Sequence, residues 1–281
     1  MRFASATQLK DWIKNKSKQT GTQANVLLQT YMMERLLERI SISVYRENLI
    51  LKGGFLIAAM IGVDKRATMD MDTTVKGLTV NREEIQNILR EIIGIDVDDS
   101  ISFEILNINN IHDISEYDDF RVSLRANFQT IRVSLKIDIT TGDAIIPHEI
   151  EYRYKLMFED RTIPIMAYNL YTILAEKIET ILSRNVTNSR GRDFYDIYTL
   201  LSMNIDSLSQ AELLHAIRVK AEDRNSVSDV EKYEEHLRNI ANSPEIEQIW
   251  VAYSKNYPYA KGIALSDILR LINWVFGAGK D

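Results

Sequence analysis

The sequence contains no cysteine. That excludes disulfides, thiolate zinc sites and cysteine nucleophiles together, and it suits a reducing compartment. Histidine is scarce as well: His112, His148, His215 and His236 are too scattered for a His-rich metal site. Only four prolines occur in 281 residues, so there is no Pro-rich linker, and no segment repeats another. No stretch approaches the roughly 18 apolar residues of a membrane span, and the opening MRFASATQLKDWIKNKSKQTG lacks the apolar core of a signal peptide. A cytoplasmic protein without a membrane partner is therefore expected. The net charge of −6 has the wrong sign for a protein that coats nucleic acid, although one local basic patch stays compatible with it.

What is present is an ordinary globular composition, 45% hydrophobic and 26% charged, at a length that suggests two domains. Leu9, Trp12 and Ile13 fall at helical spacing beside Lys10, Lys14, Lys16 and Lys18, which predicts an amphipathic helix with a basic face. A long helix follows over about 23–42, with Leu27, Leu28, Tyr31, Leu36 and Leu37 as its stripe. Gly53-Gly54 leads into a short apolar helix, TMDMDTTV reads as a strand, and 81–93 as a helix capped by Asn81. SFEILNI, FRVSLRANF, IRVSLKIDIT and YRYKLMF then alternate like strands, with Pro164 closing the region. Helices are expected near 168–184, 192–202, 209–221, 229–242, 245–254 and 265–275. The expected organisation is an α+β domain over 1–165 and a helical domain over 166–281. Eight acids and no Lys or Arg lie between Ile95 and Asp119, which reads as a solvated edge and loop.

Chemistry concentrates around Lys52-Gly53-Gly54, Arg66, Thr68, Asp70 and Asp72. Two glycines at a helix entry let backbone amides approach phosphate oxygens. Two aspartates at i and i+2 on a strand project from one face, about 7 Å apart, and offer oxygen donors to a hard divalent cation. Asp138 breaks the apolar pattern of VSLKIDIT: Ile137 and Ile139 face one way, Lys136 and Asp138 the other. Should that strand adjoin Asp70 and Asp72, three carboxylates converge; otherwise Asp138 is a solvent-facing strand residue. In LAEKIETILSR, Lys177 lies among Leu174, Ile178 and Ile181. Arg184, Arg190 and Arg192 share a nine-residue segment free of acids, followed by Asp193 and Asp196. The plain reading there is an Arg–Asp network at a helix start, with Arg192 and Asp196 at i,i+4. The functional one is a basic wall for a triphosphate.

The series Lys-Gly-Gly, Arg-x-Thr-x-Asp-x-Asp, a strand Asp, a Lys-x-Glu helix and an Arg-Asp-x-x-Asp helix resembles the AbiEii toxins over about residues 50–200. These are nucleotidyltransferase-fold toxins of bacterial abortive-infection and type IV toxin–antitoxin operons. The resemblance implies a DNA polymerase β-like domain with a mixed sheet, followed by a helical domain. It implies nucleotidyl transfer dependent on Mg²⁺, with Mn²⁺ as a substitute, and an NTP, GTP among them, as substrate. Asp70 and Asp72 then match the metal pair, Asp138 the third carboxylate, and Lys177 and Asp193 the later catalytic motifs. Lys52, Gly53, Gly54, Arg66, Thr68 and Arg192 would contact the nucleotide, with Glu179 and Asp196 in support. The family motif is often Gly-Ser; Gly54 here supplies no hydroxyl. An RNA acceptor such as a tRNA 3′ end is implied, with translation blocked, phage defence as the setting, and an AbiEi-type antitoxin that need not bind the toxin. Lys10–Lys18, Arg184–Arg192 and YSKNYPYAKG, through Tyr257 or Tyr259, are candidate RNA contacts; packing is the plain role for those tyrosines. Transfer to a protein hydroxyl, metal-dependent RNA cleavage and a non-catalytic binding module are the competing functions.

Overall fold

The computed structural model describes residues 3–66, 68–111 and 119–277. It divides into two units, Met1–Asp143 with Glu149–Tyr168, and Ala144–His148 with Asn169–Asp281.

The first unit is α+β. It runs α1 (Ala6–Thr20), α2 (Ala24–Ile42), β1 (Leu49–Lys52), α3 (Gly53–Ile61), β2 (Asp70–Val75), α4 (Arg82–Ile93), β3 (Ser102–Asn110), β4 (Phe120–Phe128), β5 (Ile131–Thr141), β6 (Ile150–Lys155) and β7 (Thr162–Ala167). Its strands form one mixed sheet in the order β3-β4-β5-β2-β1-β7-β6. β2 lies parallel to β5 and antiparallel to β1, and β4 is antiparallel to β5. Alternation decides the two faces. Met71, Val122, Leu124, Ile137 and Ile139 are buried, and α2 packs against β5 and β7. Complete burial of each such side chain contributes roughly 1.5–3 kcal/mol. Asp72, Asp138 and Arg121 belong to the opposite face and keep solvent contact.

Two local readings change here. Pro164 does not close the strand region; it lies within β7, a strand the pattern missed. β1 joins β7 only at Leu51↔Ala167, so no ladder with β1 reaches back to Pro164. Asp99, expected in a solvated acidic edge, is buried, where Arg39 grips its carboxylate through two hydrogen bonds of 2.8 and 2.9 Å. Asp113, Glu116 and Asp118 of that stretch lie outside the described residues. α4 follows expectation, with Asn81 and Glu84 forming a reciprocal capping box.

The second unit is helical: α5 (Leu170–Arg184), α6 (Gly191–Asn204), α7 (Gln210–Asp223), α8 (Val227–Glu231), α9 (Tyr233–Ala241), α10 (Pro244–Asn256) and α11 (Leu265–Val275). The single helix expected over 229–242 is two, because Lys232 leaves helical geometry at φ −88° and ψ 21°. Asn169 caps α5 by accepting from the Thr172 amide. Ile178, Ile181, Phe194, Ile197, Ile217 and Ile272 are core residues of this unit. The Lys220 ammonium, wholly buried, donates to Glu176 at 2.9 Å.

Candidate active site

In the α+β unit the register aligns the chemistry. Lys52 on β1 pairs with Asp72 on β2, Asp72 with Asp138 on β5, and Asp138 with Arg121 on β4. Asp70, two residues along β2, shares the face. Three carboxylates are thus neighbours on the exposed side of the central strands, as their alternation predicts. Burial pushes the Asp72 carboxyl above the usual range, and the Asp138 and Asp70 charges push the same way. Lys52 and a hydrogen bond from the Gly54 amide pull it back.

The turn from β1 into α3 is shaped around Asp72. Gly53 has φ +66°, and a Cβ there would lie 2.0 Å from Asp72 Oδ2, so backbone conformation and space both require glycine. A Cβ at Gly54 would meet Thr68 Oγ1 at 3.0 Å and a terminal nitrogen of Arg66 at 3.2 Å. Hence Gly53, Gly54, Arg66, Thr68 and Asp72 gather at one helix entry. Lys52 does not point freely: its ammonium donates to Thr140 Oγ1 at 2.7 Å and to Asp143 Oδ2 at 2.5 Å.

Arg121 was not singled out by sequence reasoning. Its Nε and a terminal nitrogen donate to the two Asp138 oxygens at 2.8 and 2.6 Å, a bidentate pair. That pair raises the affinity of Arg121 for its proton. A signal existed: the hairpin of β4 and β5 turns at Gln129-Thr130, and counting outward from Phe128↔Ile131 puts Arg121 opposite Asp138. Asp143, beyond β5, carried no local signal.

In the helical unit, the Lys177 ammonium lies 2.7 Å from Asp193 and 2.8 Å from Asp196, both buried on α6. This replaces the expected Arg192–Asp196 network, since Asp196 turns to Lys177, and Arg192 makes no ion pair among the described residues. Glu179 is held by Arg224 at 2.7 Å and by Ser226 at 2.8 Å.

Among the described residues no group of three or more His, Asp or Glu side chains closes on one point as a metal cage. The donor set nevertheless fits a hard divalent cation. All three side chains are carboxylates, neighbours in the ladder, and Asp72 bears the repulsion of the other two.

Comparison with known proteins gives the family. The family model for the nucleotidyl transferase AbiEii toxin of type IV toxin–antitoxin systems matches residues 35–270. No curated protein matches the chain significantly. A provisionally named nucleotidyltransferase from H. pylori aligns over 90% of this chain and 94% of its own, at 14% identity and a TM-score of 0.49. JHP933 from Helicobacter pylori aligns over 89% of each chain, at 15% identity and a TM-score of 0.46. For an antigenic nucleotidyltransferase-like protein from Paracoccidioides brasiliensis the values are 80% and 92%, 15% and 0.37. The model's span covers most of the chain and includes β2, β5 and the Lys177–Asp193 pair, so the protein belongs to the AbiEii nucleotidyltransferase toxins of type IV toxin–antitoxin systems.

Proposed function

We propose that this toxin transfers a nucleoside monophosphate from an NTP to the 3′ hydroxyl of an RNA, tRNA being the acceptor class, in a reaction that requires Mg²⁺ or Mn²⁺. The observation that carries it is the alignment of Asp72 with Asp138, with Asp70 on the same face, beside the Gly53-Gly54 turn. Asp70, Asp72 and Asp138 would hold the cation. Bound there, it would neutralise phosphate charge and make the attacking hydroxyl more acidic.

The chain's own residues then do the positioning. Gly54, lacking a side chain, lets Thr68 and Arg66 close in on the α3 entry, where phosphate oxygens would meet a hydroxyl and a guanidinium. Lys52, braced by Thr140 and Asp143, keeps positive charge near Asp72. The acceptor oxygen bonds to the α-phosphorus as the bond from that phosphorus to the bridging oxygen breaks. Pyrophosphate leaves with the electron pair, and Asp138 takes the hydroxyl proton. No protein nucleophile is needed, and most of the rate comes from alignment and electrostatics. For Lys177 the proposed ligand is triphosphate, on the family motifs alone, with Asp193 and Asp196 fixing its ammonium and Glu179 supporting that helix. Blocked RNA ends would arrest translation, as a phage-defence toxin requires, and an AbiEi-type antitoxin would act without binding the toxin.

Incubation with α-labelled NTPs, GTP included, and tRNA in the presence of Mg²⁺ tests this. Labelled, RNase-sensitive product is expected, and Asp72→Asn should lower its formation by roughly 10³-fold or more with the fold retained. Label that protease removes would move the acceptor to a protein hydroxyl. RNA shortened without NTP would make the site a nuclease. Either result overturns the reading.

A further inference from the structure

Within the helical unit, two features meet that the transfer reaction leaves unused. The first is a group of bases. Arg184 ends α5, and Arg190 and Arg192 flank Gly191 at the start of α6. All three are exposed, and none forms an ion pair or side-chain hydrogen bond among the described residues. They are close enough to disturb one another: partial desolvation lowers the proton affinity of Arg190, and Arg184, Arg192 and Arg224 push the same way. Asp193 offsets this only in part, its carboxylate being engaged by Lys177 at 2.7 Å. The loop also holds a spare donor. Asn188 is fully buried and accepts from the Arg190 amide through Oδ1, while its Nδ2 has no acceptor among the described residues.

The second feature is a stair of aromatic rings running from core to surface. Trp250 and Tyr195 are buried, Tyr253 and Tyr259 half-buried, and Tyr257 is 38% exposed. Tyr257 lies 4.6 Å from Tyr253 and 5.4 Å from Tyr259 between ring centroids, the latter pair stacked at 26°. The two features touch. A Cβ on Gly191 would sit 2.8 Å from Tyr253 Cβ, so the backbone between Arg190 and Arg192 lies directly against this aromatic group. Exposed Lys255 and Lys261 bracket the tyrosines in sequence.

Arginines without acids would serve any phosphate, and a stepped tyrosine stack alone would be packing. Together, an unneutralised cationic edge and an exposed ring with a stacked neighbour match a polyanion whose flat bases are unpaired. A duplex hides its base faces, and a free triphosphate has no use for the rings. We propose that Arg184, Arg190 and Arg192, with Tyr257 and Tyr259, form a binding platform for single-stranded RNA. The arginines take consecutive backbone phosphates and Tyr257 stacks a base. The choice of RNA rests on the transfer reaction proposed above; the platform itself rests on the rings and the arginines.

Fluorescence anisotropy of a labelled 12-nucleotide oligo(A) RNA, titrated with the full-length protein over a series of salt concentrations, tests it. The expected slope of log affinity against log salt is about −2 for three phosphates, and Arg190→Glu should flatten it by about 0.7 or more. Tyr257→Ala should weaken binding about tenfold and Tyr257→Phe should preserve it. Melting temperatures check the fold, with Tyr257→Leu replacing an unfolded Tyr257→Ala. A parent protein that does not bind the oligonucleotide overturns the platform, as do variants that bind like the parent. Loss on Arg190→Glu with no loss on Tyr257→Ala and Tyr257→Leu overturns it in favour of a plain phosphate site. Asp72→Asn, run in parallel, should bind RNA like the parent. RNA bound through the platform while no label is transferred to RNA would defeat the transferase reading and leave the platform standing.

Discussion

Two sets of charge in the α+β unit follow opposite rules. Along α2, buried charges are matched with partners. Arg39 holds Asp99, and Arg35 meets Glu38 and Glu159 at 2.9 Å each, while Arg161 also reaches Glu38 at 2.6 Å. On the face of β2 and β5 like charges are assembled instead, and Asp72, raised first by burial, is pushed further the same way by Asp138 and Asp70. Matched charges leave nothing over for a ligand and serve to fix one packing. Crowded like charges are costly in the isolated fold and become favourable when an opposite charge arrives. The contrast separates paired ionic groups from a cluster that could take a cation better than burial does, since Asp72 and Asp99 both have restricted access to water.

Breaking a matched pair should have the largest effect on stability. Arg39→Ala strands the buried Asp99 carboxylate and also removes the bonds from Arg39 to the Arg35 and Ile101 carbonyls. A loss of about 3–5 kcal/mol in urea unfolding is expected. The double change Arg39→Leu with Asp99→Leu should lose clearly less; equal losses would mean that the pair's charge is not what matters.

Glu34 is the exception within α2 and gives a pH test. Burial pushes its pKa from the ordinary 4.5 up to about 8, against hydrogen bonds from the Met157 amide and the Tyr154 hydroxyl. The folded protein therefore retains a proton that the unfolded chain gives up. Stability should be greatest below about pH 4.5 as far as this group is concerned, and should fall as pH rises toward 8. The slope is at most about 1.4 kcal/mol per pH unit. Glu34→Gln keeps an acceptor for both donors and should flatten that part of the profile. An unchanged profile would show Glu34 to be ionised in the fold throughout.

The smallest effect on stability is expected at Arg121–Asp138, which bridges the two sets. The Arg121 side chain is 50% exposed, so Arg121→Gln should cost less than about 1 kcal/mol. Divalent-cation affinity by calorimetry should rise, since Asp138 is released from its guanidinium. Lower affinity would make Arg121 part of the ligand site instead of a competitor for it.

Much of this site was legible in the sequence, because strand alternation is local. The i, i+2 spacing of Asp70 and Asp72 puts them on one face in any strand, and the apolar frame of Ile137 and Ile139 points Asp138 outward. Even Arg121 opposite Asp138 follows from a hairpin with a two-residue turn. β1 was illegible because it has only four residues, and β7 because it carries a proline. Asp99 was misread because its neighbours in sequence are acidic, whereas its partner lies 60 positions away on α2.

Composition and periodicity by themselves determined the absence of thiol chemistry, most of the helices and strands, and which strand residues face outward. Those properties depend on neighbours within a few residues, where backbone geometry leaves little choice. Only the tertiary structure decided partners. It aligned Asp72 with Asp138 by setting β2 parallel to β5, turned Asp193 and Asp196 toward Lys177, and set the Arg190–Arg192 backbone against Tyr253. An ionic group takes the opposite charge, or the lack of one, that packing brings within a few ångströms. Separation along the chain has no say in that.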